Sequence, residues 1–172
     1  MSLGSGIGVS PIRPCAMGCM TDLFWAEGAL QSRGNPHFYI NQEETEHLIL
    51  RDGVLHPWAF TALPKSKSSL VAVNRDRVHM LIFSDEETNE LYRRPPRMAR
   101  LVLYFPLCVI QGEVPLLSEA TVEDFLDFWR GALFPIHDAA IHYLVEGMAA
   151  LPHRASLLYA HRKHLVGYFP RQ

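Results

Sequence analysis

Disulfide chemistry is the first thing for which this sequence has little material. Its three cysteines are an odd number, with Cys15 and Cys19 in a C-x3-C spacing and Cys108 far from both. A disulfide framework calls for an even set in a short secreted chain. A zinc site calls for four ligands, usually with C-x2-C or C-x4-C spacing. The cysteines therefore read as reduced structural residues of a cytoplasmic protein, with a redox pair at 15 and 19 as the alternative. Long apolar runs are also missing, since nothing approaches the roughly 20 residues of a membrane helix. Residues 1–14 begin Gly/Ser-rich without a charged n-region and apolar h-region, so they read as a flexible leader and not a signal peptide. Charge of one sign is absent too. The 16 basic and 18 acidic side chains leave a formal charge of −2, which gives little attraction for nucleic acid or anionic lipid. There is no G-x-S-x-G elbow, no H-E-x-x-H and no Walker loop.

What is present is a globular composition, 48% hydrophobic and 20% charged over 172 residues, enough for one ordinary domain or two small ones. The charge is uneven. Residues 1–90 carry 7 basic against 11 acidic side chains, and residues 91–172 carry 9 against 7. At the join, an acidic run from Ser84 to Glu90 is followed by Arg93-Arg94-Pro95-Pro96-Arg97. Consecutive prolines fix φ and remove two donors, so 84–97 is expected to be a linker between a first unit, 15–83, and a second, 98–172.

The two sides of that linker resemble each other. Ser69 to His79 aligns without gaps on Ser156 to Val166. Leu48, Gly53, Leu55, Pro57 and Ala62 fall on Leu126, Gly131, Leu133, Pro135 and Ala140 at a second constant offset. Gly28 falls on Gly112 at a third. The repeated order predicts an internal duplication.

Periodicity predicts a mainly β chain with one short helix in each unit. Leu101 to Ile110 is rich in β-branched and aromatic residues and reads as a strand broken near Pro106. Ser69 to Phe83 reads as a hairpin turning at Asn74–Arg77, and Ser156 to Phe169 as its counterpart. Val122, Phe125, Leu126 and Trp129 form one apolar stripe behind a Thr121-x-x-Asp124 start, with Gly131 as a C-terminal stop. A weaker helix is expected from Asn41 to Gly53. The expected fold is α+β: two tandem, pseudo-symmetric, small β-barrel-like units, for which SH3-like and Sm-like barrels are the nearest architectures by analogy.

Few residues carry an obvious chemistry. His161-x2-His164 has no nearby acidic or cysteine residue to complete a metal set, so no metal or cofactor is expected. His137-Asp138 follows a buried-looking Leu133-Phe-Pro-Ile136 segment and is the one candidate acid–base pair, though no nucleophile is apparent. Arg93-x-x-x-Arg97 resembles the first half of the arginine motif with which PilZ-type domains bind cyclic di-guanylate, but the downstream [DN]-x-S-x-x-G half is missing. Arg162 and Lys163, with His153, Arg154 and Arg171 nearby and Tyr159 and Tyr168 interleaved, form a basic patch of the kind that can stack on bases. Three tryptophans and abundant Phe and Tyr exceed what units of this size can bury, which favours contacts with another protein or a second copy.

Gly112-Glu-Val114, Asp124-Phe-Leu126, Phe134-Pro-Ile-His-Asp-Ala139 and His161-Arg-Lys-His-Leu165 together resemble a family of short bacterial domains of unknown function over about residues 99–169. That family implies no activity. The sequence therefore favours a non-enzymatic cytoplasmic binding or scaffold module that works through protein contacts, with a homo-oligomer expected. Nucleic-acid or nucleotide binding through Arg93, Arg97, Arg162 and Lys163 is the alternative, and a small hydrolase around His137 and Asp138 a further one.

Overall fold

The computed structural model describes residues 11–58, 63–148 and 150–171. Ten strands run through it: β1 (Ile12–Met20), β2 (Phe24–Arg33), β3 (His47–Pro57), β4 (Ser66–Asn74), β5 (Met80–Phe83), β6 (Met98–Tyr104), β7 (Cys108–Pro115), β8 (Leu133–Tyr143), β9 (Arg154–His161) and β10 (Gly167–Pro170). Three helices of about one turn, α1 (Pro36–Tyr39), α2 (Glu86–Glu90) and α3 (Phe125–Phe128), follow β2, β5 and β7. Arg75–Arg77 and Arg162–His164 each form a 3-10 turn. Among the described residues no helix is long and apolar enough to cross a membrane.

All ten strands belong to one open sheet, ordered β10-β6-β7-β8-β9-β5-β1-β2-β3-β4, and every pairing is antiparallel. This corrects the expectation of two separate, barrel-like units. The sheet continues through the pair β9–β5, with Met80 opposite Ala160 and Leu81 opposite Tyr159. The expected hairpins are corrected as well. β4 and β5 do not pair, because the 3-10 turn sends the chain across to β1, and β10 likewise returns to β6. Residues 84–97 are not merely a linker. Asp85 caps α2 by accepting from the Thr88 N–H at 2.7 Å, and Thr88 is buried.

The two central strands serve two cores. Met80 and Ile82 of β5 join Trp25, Phe105, Phe125, Phe134 and Ile136 in one cluster, whereas Leu81 and Phe83 join Met17, Leu30, Leu48, Leu50 and Val73 in the other. On β9, Leu158 and Ala160 face the first cluster, Leu157 and Tyr159 the second. A strand alternates its side chains between faces, so a strand with apolar material on both sides must be apolar throughout. Met80-Leu-Ile-Phe83 is fully buried for that reason.

A pair of bulges bends the long strands. Between Glu27 and Ala29 of β2, β3 carries the extra residue, and between Gln111 and Glu113 of β7, β8 does. Each bulge holds an aspartate in the left-handed region, Asp52 (φ 50°) and Asp138 (φ 49°), a conformation that Asp tolerates better than most residues. A glycine faces each bulge. A Cβ on Gly28 would lie 2.9 Å from the Arg51 carbonyl oxygen, and one on Gly112 would lie 2.8 Å from that of His137.

The helix expected from 121 to 130 shrinks to α3, and the one expected from Asn41 to Gly53 is replaced by α1 and β3. Asn35 caps α1 by accepting from the His37 N–H at 2.9 Å, with Pro36 in its first turn. Gly131 is not a left-handed cap. Its missing Cβ makes room for Asn41, whose amide atoms would lie from 2.6 Å away. Asn41 donates to the Leu133 carbonyl and accepts from the Leu133 N–H, both at 2.8 Å, tying the β2–β3 connection to the start of β8. The sequence match of Gly53 to Gly131 is therefore out of register, since Gly53 lies in β3 beneath Val71. Gly112→Ala would drive a methyl group into the His137 carbonyl and the Ile136 side chain. We expect it to cost about 1–3 kcal/mol of stability, read as a lower urea midpoint at unchanged slope.

Candidate functional site

A concavity of about 850 Å3 lies where three connections meet: the one after β2, which carries α1 and its cap, the one after β5, beyond α2, and the one after β7, on both sides of α3. Its floor is polar but internally satisfied. His37 is buried between the Phe83, Tyr92 and Tyr159 rings, at centroid distances of 5.2, 5.5 and 5.7 Å. Its Nε2–H donates to the Thr88 carbonyl at 2.7 Å, which leaves Nδ1 to accept from the Tyr159 hydroxyl at 2.8 Å. Burial holds the His37 imidazolium below its ordinary range, against the pull of the Thr88 carbonyl and Asp85. Burial also pushes both phenols up, Tyr92 to about 12 and Tyr159 higher still. The floor is neutral at pH 7, with no free base and no activated nucleophile.

The walls are aromatic, with Phe38 and Phe128 exposed at the mouth and Trp129 behind them. Trp129 is held from two sides. Its indole N–H donates to the Leu133 carbonyl at 3.0 Å, and its own carbonyl accepts from Arg162 at 2.7 Å. Arg93 and Arg130 also line the space, and neither has a hydrogen bond or ion pair with another described residue.

The sequence candidates do not assemble into one site. Arg93 lines the cavity, whereas Arg97 donates to the carbonyls of Ser118 and Ala120 and so ties down the loop after β7. Arg162 is spent on Trp129, and Lys163 lies 3.7 Å from Asp76. Tyr159 is buried, and the Tyr168 hydroxyl donates to the Glu123 carbonyl at 2.9 Å, so neither forms a stacking platform beside these cations. His137 and Asp138 diverge, as neighbours on a strand do. His137 is buried with its ring 5.1 Å from Tyr92, while exposed Asp138 pairs with Arg94 at 2.9 Å. The same guanidinium binds Glu113, so Arg94 clasps the second bulge. The free cysteines are all buried. Cys15 and Cys19 are four positions apart on β1, roughly 13 Å at strand rise, too far to bond to each other.

None of His37, Asn41, Tyr92 and Trp129 was a site candidate from the sequence, where Asn41 read as the start of a helix and Trp129 as part of an apolar stripe. The signal available was the Asn35-Pro36 helix start, a cap followed by a proline at the first helical position. Nothing in the sequence connects it to residue 129.

A second cluster sits on the β5–β9 junction. His79 and His164 stack at 4.2 Å, His161 lies 5.2 Å from His164, and Asp22 and Asp76 flank them. His79 bonds to Asp22, and His164 Nε2 meets the Asp76 carbonyl oxygen at 2.8 Å. Among the described residues no group of three His, Cys, Asp or Glu side chains is arranged to hold a metal ion. The chain matches no protein-family model, no curated protein and no solved structure.

Burial lowers the affinity of His37, His79 and His137 for a proton, and burial together with His164 pushes His161 down to about 4. In the unfolded chain each titrates near about 6.5. The unfolded chain therefore binds protons first as the pH falls. Stability is complete above about pH 6.5 and is lost between there and about 4. His161→Asn keeps a side-chain acceptor for the Lys163 N–H, which His161 now binds at 3.1 Å, and removes one titrating group. The melting temperature should fall on acidification through this window, and less steeply in His161→Asn. An equal slope in both proteins would contradict this assignment.

Proposed function

We propose that the chain is a tandem of two related five-stranded units within one open sheet, and that it acts as a non-enzymatic assembly module joining copies edge to edge. Each half runs in the same strand order, β5-β1-β2-β3-β4 and β10-β6-β7-β8-β9. The bulges at Asp52 and Asp138 occupy corresponding strands. The 3-10 turns correspond at one spacing, with Asn74 and His161 each accepting from the N–H two residues on. On this reading the counterpart of Asp138 is Asp52.

The observation that carries the proposal is the contrast between equivalent positions. In the middle of the sheet, β9 of one half pairs with β5 of the other, covering Leu157 (4% exposed) and Ile82 (9%). Their counterparts on the two outer strands, Leu70 on β4 and Phe169 on β10, are 43% and 48% exposed. The outer strands also leave backbone groups unpaired, a template for further pairing. Joining β10 of one copy to β4 of the next would repeat the internal junction, with Gly167 opposite Val73 and Tyr168 opposite Ala72. Such a contact is heterologous and builds rings if its rotation closes, filaments if it does not.

Sedimentation velocity tests this directly. The wild-type chain should sediment as a multiple of 19.5 kDa, with self-association weakened about tenfold or more by Leu70→Glu or Phe169→Glu. Both residues are exposed in the single chain, so far-UV circular dichroism should not change. A wild-type protein that stays monomeric at high concentration, or an assembly indifferent to both variants, would overturn the proposal.

A further inference from the structure

We propose that the cavity between α1, α2 and α3 is a binding site for a small organic anion built on a planar aromatic ring. The reading is independent of edge-to-edge assembly. Its volume, about 850 Å3, is within the range of sites that enclose a drug-sized ligand. Five aromatic side chains, Phe38, Tyr92, Phe128, Trp129 and Tyr159, line it. Phe38 and Phe128 are left exposed there, at 73% and 40%.

The charged groups select the sign of the ligand. Arg93 and Arg130 line the cavity without a protein partner among the described residues, against a single carboxylate, Asp127. A guanidinium offers a planar fork of donors that suits a carboxylate, sulfonate or phosphate oxygen pair and also stacks on aromatic faces. The polar atoms of the floor offer the ligand little, because His37 and Tyr159 spend their hydrogen bonds on each other and on Thr88. Recognition therefore comes from ring contact on the walls and charge at the two arginines.

The walls are formed before any ligand arrives. Trp129 is pinned by Leu133 and Arg162, Asn41 locks α1 to β8, and Arg97 ties down the loop that carries Ser118. Preorganisation of this kind lowers the entropy lost on binding.

The test uses two fluorescent probes that share a ring system, anilinonaphthalene sulfonate and the uncharged phenylnaphthylamine. The sulfonate should bind the wild-type chain at one saturable site. Arg93→Gln combined with Arg130→Gln should weaken the sulfonate about tenfold or more and leave phenylnaphthylamine unchanged. Phe128→Ser should weaken both. Leu70→Glu and Phe169→Glu, on the outer strands, should bind the sulfonate as the wild type does. Non-saturable binding, an unchanged sulfonate affinity in the arginine variant, or a loss in the outer-strand variants would each overturn the assignment. The arginines are exposed on the surface of the fold, so circular dichroism should report a folded double variant. Should it not, suppression of wild-type sulfonate binding by added salt, with phenylnaphthylamine unaffected, decides the same question.

Discussion

Everything in this molecule hangs on a short antiparallel contact between β5 and β9. Two register pairs and the His161 N–H bond to the His79 carbonyl, at 2.9 Å, carry the sheet from one half of the chain to the other. The contact is strong for its length because side chains leave it in both directions. Met80 and Ala160 enter one core while Leu81 and Tyr159 enter the other. Each large apolar side chain so buried contributes about 1.5–3 kcal/mol, and here the same four-residue strand supplies both cores. Neither core is confined to one side of residues 84–97, since Trp25 helps to build one and Leu133 the other.

The cavity is a by-product of that arrangement. The connections after β2, β5 and β7 converge near the junction, where Tyr159 meets His37 and Asn41 meets Leu133. The His37 side chain also binds the Thr88 carbonyl, and these long-range bonds hold the connections in place while their aromatic side chains line a space that the connections do not fill. The same economy explains the fate of the cations. Arg94, Arg97 and Arg162 each clasp backbone or carboxylate oxygens elsewhere in the fold, whereas Arg93 and Arg130 line the cavity without a partner among the described residues.

The sequence was most legible where the signal was local. The apolar stretch from Leu101 to Ile110, broken near Pro106, is the β6–β7 hairpin. Asn74–Arg77 is a turn, and the gapless match of Ser69–His79 to Ser156–Val166 places a 3-10 turn at the same point in both segments. Gly28 and Gly112, matched as glycines, both face a bulge. Reading failed where identity of residue type hid a difference of cause. Gly53 and Gly131 look alike in sequence, yet one clears Val71 and the other clears Asn41. The stripe from Val122 to Trp129 has a helical period, but only one turn forms, because Trp129 is drawn off to the Leu133 carbonyl.

Period and turn chemistry were enough to determine a mainly β chain, with strands near Leu101–Ile110 and on either side of the turns at Asn74–Arg77 and Arg162–His164. They rest on interactions between residues a few positions apart, and a single sequence displays those directly. Which strand lies beside which was decided only by the tertiary structure. The pairing of β5 with β9, the separation of His137 from Asp138 and the meeting of α1, α2 and α3 around one cavity join residues far apart in the chain. Their free energy comes from burial and hydrogen bonds that exist only once the whole sheet has closed over its two cores.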